Sequence, residues 1–156
     1  QSLQKAVENP NDLKARGDML MASMMGAIAF QKGLGVTHSC AHALSNCFDT
    51  HHGLANALML GACMDFNYES VPERFVTMAH TIGLEGSDET KAKGFISWLK
   101  SLPQTMGLPK NLKEEGVSIT EELLTSAFSD PCHGNNPRNC SQEDFKPLFE
   151  QALRGD

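Results

Sequence analysis

Four of the six histidines, His38, His42, His51 and His52, lie within one short stretch of the chain. His38 and His42 are four residues apart, so on a helix their imidazoles face the same side. A polar segment at residues 46–50 follows, and a turn there would bring His52 beside the first pair. Imidazoles that converge from one helix and the start of the next can bind a transition metal. A lone histidine is more simply a structural residue, whereas this spacing predicts a metal or catalytic site.

Two helices must position these side chains. Residues 37–48 form a short helix that carries His38 and His42, and residues 52–66 form a second helix that begins at His52. The second is apolar on nearly all sides, which is typical of a central helix. Asn56 is its polar exception. Because a buried amide needs hydrogen-bond partners, we expect Asn56 to bond a neighbouring loop or helix end.

An earlier helix is capped by Asn11-Asp12 and extends to about Lys32. Residues 19–30 of it are apolar nearly all round, which predicts burial on most sides. Its methionines, Met19, Met21, Met24 and Met25, are then core residues rather than ligands.

Further helices follow toward the end of the chain. One begins at Ser87-Asp88 and ends before Pro103, and another starts at a capping box formed by Ser118 and Glu121. A last helix begins near Ser141. No run alternates with period two for long enough to predict a strand. The predicted fold class is therefore all-α, with seven or eight helices.

Composition narrows the class of protein. The 156 residues suit one domain, and the net charge of −6 argues against nucleic-acid binding. The five cysteines are odd in number and form no C-x-x-C pair, which favours free thiols in a reducing cytoplasm. No signal peptide is visible, and the longest apolar run, residues 19–30, is shorter than the ~20 residues of a membrane span. These features predict a cytoplasmic protein that binds neither nucleic acid nor membrane.

The histidine stretch also resembles a family signature. It reads G-L-G-x-x-H-x-x-x-H-x-L from Gly33, then H-G-x-x-N-A from His52. This is similar to the signature of iron-dependent alcohol dehydrogenases, whose metal lies in an all-helical C-terminal domain of the dehydroquinate-synthase-like kind. Further matches are Ala22-Ser23, Ala29-Phe30, Asp65-Phe66-Asn67 and Asn136-Pro137-Arg138. Ser45 stands where the family commonly has glycine, and Gly61 where it commonly has proline.

The resemblance implies a role for individual residues. His38 and His52 fall on metal-ligand positions for Fe²⁺ or Zn²⁺. His42 falls on an active-site histidine near the metal, and His51 is then a neighbour of the site or a surface residue. Cys132, in Asp-Pro-Cys-His-Gly, resembles a position at the mouth of the cofactor pocket, although a buried free thiol explains it equally well. His133 has no role in this comparison.

The resemblance further implies reversible hydride transfer between a small primary alcohol or aldehyde and NAD(P). Relatives bind NAD(P) on a separate N-terminal domain and take two more metal ligands from an Asp-x-x-x-His pair. This sequence has no such pair, and Gly33-Leu34-Gly35 lacks the third glycine of a dinucleotide loop. We therefore expect residues 1–156 to be a single helical metal-binding domain. The opening, Leu3-x-x-Ala6-Val7, reads like the tail of a helix that ends at Asn9-Pro10. It predicts a piece of a longer protein that lacks its NAD(P)-binding partner domain, although processing or omission of a leader would look the same.

Two other classes of protein stay open. One is a histidine-metal hydrolase, although such enzymes often carry a His-Asp dipeptide and none occurs here, since Ala43 follows His42 and Gly53 follows His52. The other is a non-catalytic helical metal-binding or interaction module in which the histidines are structural.

Overall fold

Eight α-helices and two short 3₁₀ segments make up the computed structural model, which describes residues 2–155 and shows no β-strand among them. The all-α prediction is therefore confirmed. The helices are α1 (Ser2–Glu8), α2 (Leu13–Ala29), α3 (Val36–Phe48), α4 (His52–Tyr68), α5 (Pro72–Thr81), α6 (Asp88–Thr105), α7 (Glu121–Ser129) and α8 (Gln142–Arg154). The 3₁₀ segments are Phe30–Lys32 and Pro131–Asn135.

The chain divides into two compact units, the first ending at Gly33 and the second beginning at Leu34. In the first unit α1 packs against α2. The carboxylate of Asp12 accepts a hydrogen bond from the Ala15 amide at 2.9 Å, which caps α2 as the sequence predicts. Ala15 is also the buried residue of this helix.

The apolar part of α2 is exposed, and the expectation that it is buried is wrong for this chain. Leu20 is 74% exposed and Ile28 is 64% exposed. Met21, Met24 and Met25 are exposed as well, so they are not core residues. Apolar composition tells which surface a helix would bury if partners were available. Within the described part of its own unit α2 contacts the seven-residue α1 and the three-residue segment Phe30–Lys32, which are too small to cover a helix of 17 residues.

The second unit has two hydrophobic clusters. Helices α3, α4, α7 and α8 share the larger one, whose largest fully buried side chains include Phe145 and Phe149 from α8 and Met59 from α4. Helices α5 and α6 form the smaller one around Phe75 and Phe95. Helix α4 contacts α3, α6 and α8, so the sequence-based prediction of a central α4 agrees with its packing.

Two helix ends differ from the sequence-based prediction. Helix α7 is capped by Thr120, whose hydroxyl accepts from the Leu123 amide at 3.1 Å, rather than by Ser118. Helix α6 continues through Pro103 to Thr105. The fixed φ of proline is helical, so in a last turn it removes one hydrogen bond without stopping the helix.

The cysteines are all free, and Cys40 and Cys63 are fully buried in the larger cluster. Among the described helices none is long and apolar enough by itself to cross a membrane. Segments 13–32 and 36–48 reach the length and apolar composition of a membrane span only when they are taken together.

Candidate metal and catalytic site

Three of the predicted histidines converge where α3 faces the start of α4. The ring centroids lie 5.9 Å apart for His38 and His42, 5.6 Å for His38 and His52, and 5.2 Å for His42 and His52. His38 and His42 are half-buried, and His52 is exposed. His51, its neighbour, is also exposed. The structure thus brings together the residues that the sequence assigns to metal binding and catalysis, at the edge of the second unit.

A tight turn between α3 and α4 creates this convergence. Asp49 adopts a left-handed conformation with φ of 54°, and its amide donates to the Ser45 carbonyl at 3.1 Å. The Ser45 hydroxyl donates in turn to the Thr50 carbonyl at 2.9 Å. Short polar residues such as Asp tolerate this conformation better than bulky ones. Ser45, which departs from the family pattern, therefore stabilises this turn, because its hydroxyl links the end of α3 to Thr50, two residues before His52.

His52 is held by its own helix. The Asn56 side-chain amide donates to the His52 carbonyl at 3.0 Å and lies 3.1 Å from His52 Nε2. The expectation that Asn56 bonds another element is therefore wrong, because its amide reaches back one turn instead.

A carboxylate that the sequence did not assign to the site anchors His42. Asp130 Oδ2 lies 2.8 Å from His42 Nδ1. Asp130 Oδ1 accepts from the Ser39 hydroxyl at 2.9 Å and from the Cys132 amide at 2.8 Å. The same hydroxyl accepts from the His133 amide at 2.9 Å. Ser39, on the buried side of α3, thereby joins the helix to the loop that carries Asp130.

Cys132 lies next to the same carboxylate. Donor atoms of His42, Asp130 and Cys132 lie within 4.8 Å of one another, so the structure brings Cys132 beside the histidine cluster. Burial, followed by the hydrogen bond with Asp130, raises the pKa of the Cys132 thiol to about 11. At neutral pH this side chain is therefore a neutral thiol. Its part in cofactor binding stays a prediction.

His133 has a structural position. Its ring stacks on Phe128 with 5.5 Å between centroids and meets Phe145 edge-on at 5.5 Å. Its Nε2 lies 2.8 Å from the Phe128 carbonyl. These contacts hold the ring against α7 and α8 and so fix the loop that presents Asp130.

A buried asparagine pair fixes the other end of this loop. Asn136 Oδ1 accepts a hydrogen bond from the Val36 amide at 3.2 Å. The N-cap residue of α3 is Gly35, which has no side chain, so Asn136 caps the helix instead. Asn136 and Asn67 also exchange hydrogen bonds, at 2.6 Å and 3.2 Å. A Cβ on Gly35 would lie 2.8 Å from Asn136 Oδ1, so the close approach requires glycine. The signature stretches at residues 65–67 and 136–138 are thus joined in space.

The electrostatics of the cluster favour the neutral imidazole at His38. Burial, followed by repulsion from His52 and His42, lowers the pKa of His38 below its ordinary value. Burial acts on Asp130 in the opposite sense and raises its pKa. Hydrogen bonds from the Cys132 backbone, His42 and Ser39 outweigh burial, and they lower that pKa to about 2. Asp130 is therefore a carboxylate at any physiological pH.

We expect Asp130 to stabilise the fold in a pH-dependent way. Its pKa is lower in the folded chain than its ordinary value of 3.8, so the unfolded chain takes up the proton first as the pH falls. Its contribution is complete above about pH 4 and disappears toward pH 2, a loss on the order of 2 kcal/mol. Urea denaturation of wild type and Asp130→Asn should show a stability difference that shrinks over this range. An equal difference at about pH 6 and about pH 2 would contradict the assignment.

Comparison with known proteins identifies the class. Residues 1–153 match the family described as "Fe-containing alcohol dehydrogenase family, C-terminal". A 4-hydroxybutyrate dehydrogenase from Cupriavidus necator is 31% identical over 163 residues, covering 97% of this chain and 41% of that protein. An NADPH-dependent butanol dehydrogenase from Clostridium saccharobutylicum is 34% identical over 152 residues, covering 92% of this chain and 39% of that protein.

Solved structures agree. An alcohol dehydrogenase from Oenococcus oeni superposes with a TM-score of 0.91 at 32% identity, covering 97% of this chain and 41% of that one. The chain therefore belongs to the iron-containing alcohol dehydrogenase family, in which it corresponds to the C-terminal domain. It spans about two fifths of the length of the relatives it matches.

Proposed function

We propose that this chain is the metal-binding domain of an iron-dependent alcohol dehydrogenase that interconverts a primary alcohol and an aldehyde with NAD(P). The observation that carries the proposal is the convergence of His38, His42 and His52 within 5.9 Å between ring centroids. We further propose that residues 1–156 act as a single domain beside an N-terminal domain that binds NAD(P). The free cysteines support a cytoplasmic location.

The geometry of the two proposed ligands fits one metal ion. Two imidazoles bound to the same ion at ~2.1 Å have ring centroids roughly 5 Å apart. His38 and His52 are 5.6 Å apart, so a small side-chain movement suffices. The lowered pKa of His38 favours the neutral imidazole, which is the form that binds a metal. Within residues 2–155 the compact group of three possible donors is His42, Asp130 and Cys132, which includes neither proposed ligand. We propose that the remaining ligands come from an upstream Asp-x-x-x-His pair, as the family resemblance implies.

The proposed roles follow from these positions. When bound, an Fe²⁺ or Zn²⁺ ion supplies Lewis-acid polarisation of the alcohol oxygen, and NAD(P) accepts the hydride. His38 and His52 hold the ion. His42, beside them and half-buried, is placed to accept the alcohol proton. Cys132 lines the same region as a neutral thiol, where a nicotinamide ring could rest against it.

Metal titration of the purified chain tests the ligand assignment. We expect the wild-type chain to bind Zn²⁺ or Fe²⁺ weakly, because two imidazoles are an incomplete ligand set. Isothermal titration calorimetry under anaerobic conditions measures this binding. His38→Ala and His52→Ala should abolish this binding. His51→Ala is the matched control, since His51 is adjacent to His52 and exposed, and it should bind as wild type does. Unchanged binding by His38→Ala would show that His38 is not a metal ligand.

We also expect the isolated 156-residue chain to lack dehydrogenase activity. It contains the glycine pair Gly33 and Gly35 but no complete dinucleotide loop, and it has only two of the proposed metal ligands. The measurement is NADH or NADPH formation from ethanol or butanol, followed by nicotinamide absorbance. Turnover by the purified chain above the uncatalysed rate would overturn the need for a partner domain.

A further inference from the structure

We infer that Asp130 is the positioning residue for His42: it holds the imidazole as the Nδ1–H tautomer and leaves Nε2 free to accept the substrate proton. This inference rests on the proposed function for its catalytic part. Its structural part, the tautomer of His42, stands on the geometry of this chain alone.

The contacts of Asp130 determine the direction of the hydrogen bond. Its Oδ1 is occupied by two donors, the Ser39 hydroxyl and the Cys132 amide, at 2.9 Å and 2.8 Å. Its Oδ2 faces His42 Nδ1 at 2.8 Å. An ionised carboxylate can only accept hydrogen bonds, so Nδ1 must carry the proton. The neutral ring then has its lone pair on Nε2.

The placement of the pair suits a proton acceptor rather than a buried structural contact. The His42 side chain is 36% exposed, whereas that of Asp130 is only 16% exposed. The carboxylate is thus more shielded from solvent than the ring that it contacts. The His42 and His52 rings are stacked with 5.2 Å between their centroids, so His42 lies directly beside a proposed metal ligand.

The chemical step moves one proton. In the proposed oxidation the alcohol O–H proton would pass to His42 Nε2, and NAD(P), when bound by the partner domain, would supply the hydride acceptor. The resulting imidazolium has N–H groups at both nitrogens, and its Nδ1–H stays hydrogen-bonded to the Asp130 carboxylate. The proton then leaves to solvent from Nε2. Asp130 never takes the proton; it fixes the ring and stabilises its positive charge.

The first test reads the tautomer directly in the 156-residue chain. Nitrogen-15 chemical shifts of labelled histidine, assigned with a His42→Gln variant, distinguish Nδ1–H from Nε2–H at a pH where the ring is neutral. We expect Nδ1–H for His42 in the wild-type chain. A wild-type signal typical of Nε2–H overturns the inference, and this measurement requires no variant of Asp130 to fold.

The second test uses substitution. In Asp130→Asn the side-chain amide can donate to Nδ1, so we expect the His42 tautomer to change to Nε2–H. Asp65→Asn is the matched control, because Asp65 pairs with Lys100 at 2.6 Å and belongs to neither the histidine cluster nor the loop of Asp130. It should leave the His42 signal as in wild type. An unchanged His42 tautomer in folded Asp130→Asn contradicts the positioning role.

The third test measures the consequence for catalysis in the full-length enzyme. Asp130→Asn should lower kcat by ~10²–10⁴-fold while KM and metal content change only a few-fold, since a proton acceptor is mispositioned and no ligand is lost. Equal kcat in Asp130→Asn and wild type overturns the catalytic part. If the full-length protein proves to have no dehydrogenase activity, the proposed function fails, and the tautomer measurements alone decide whether Asp130 holds His42.

Discussion

Alanine in place of His38 or His52 is expected to cost the full-length enzyme both its metal and its turnover. Each substitution removes one imidazole from a pair whose rings are 5.6 Å apart, so the remaining donors form a weaker cage. Alanine in place of His42 should leave most of the metal bound. Its turnover should still fall by ~10²–10⁴-fold, because the proposed proton acceptor is lost. Loss of a residue beside the ligands can itself weaken metal binding by roughly 10–100-fold, so a partial metal loss agrees with this role.

Metal analysis and steady-state kinetics on the three variants measure these effects. His51→Ala is the matched control, because this histidine is exposed and should keep both metal and turnover. If His42→Ala loses its metal as completely as His38→Ala does, then His42 is a ligand and not a proton acceptor.

Alanine in place of Asn136 is expected to destabilise the chain by about 2–4 kcal/mol. The Asn136 side chain is buried and bonds the Val36 amide, both polar groups of the Asn67 amide, and the Arg138 carbonyl. Its removal leaves the cap of α3 and the Asn67 side chain buried without partners, at roughly 1–3 kcal/mol for each buried group left unpaired.

Urea denaturation of the 156-residue chain measures this loss. Asn135→Ala is the control, since Asn135 is the adjacent and exposed asparagine, and its substitution should change the free energy of unfolding by less than about 0.5 kcal/mol. Similar stability of the two variants would show that the asparagine pair contributes little to the fold.

The sequence predicted the features that depend on local spacing. His38 and His42 share a helix face because they are four residues apart, and His52 joins them because one turn reverses the chain. The all-α fold followed from apolar periodicity in the same way. These features involve residues close together in the chain, where helix geometry alone fixes the relative positions of side chains.

Features that depend on distant residues could not be predicted. Asp130 lies 88 residues from His42, and no spacing rule connects them. The one indication in the sequence that Asp130 belongs to the site is its position at the start of the stretch that contains Cys132, which the family resemblance singles out. The prediction that α2 is buried is wrong for a related reason, because burial also depends on residues outside the helix. Side chains such as Leu20 show what a helix can bury, but a pattern within one helix does not show which partner covers it.

The long sequence separation between α3 and the Asp130 loop has a consequence for the order of folding. Helices α3 and α4 carry all three converging imidazoles and are joined by a short turn, so their pairing closes a small loop and is entropically cheap. The hydrogen bonds from α3 to Asp130 and Asn136 close loops of 88 to 100 residues. Contacts between residues so far apart in the chain form slowly. During synthesis the histidines therefore leave the ribosome and pair well before the residue that orients His42 has been translated. We therefore expect the proposed metal-binding half of the site to form first, and the proposed proton-accepting half to be completed only when the last quarter of this chain docks.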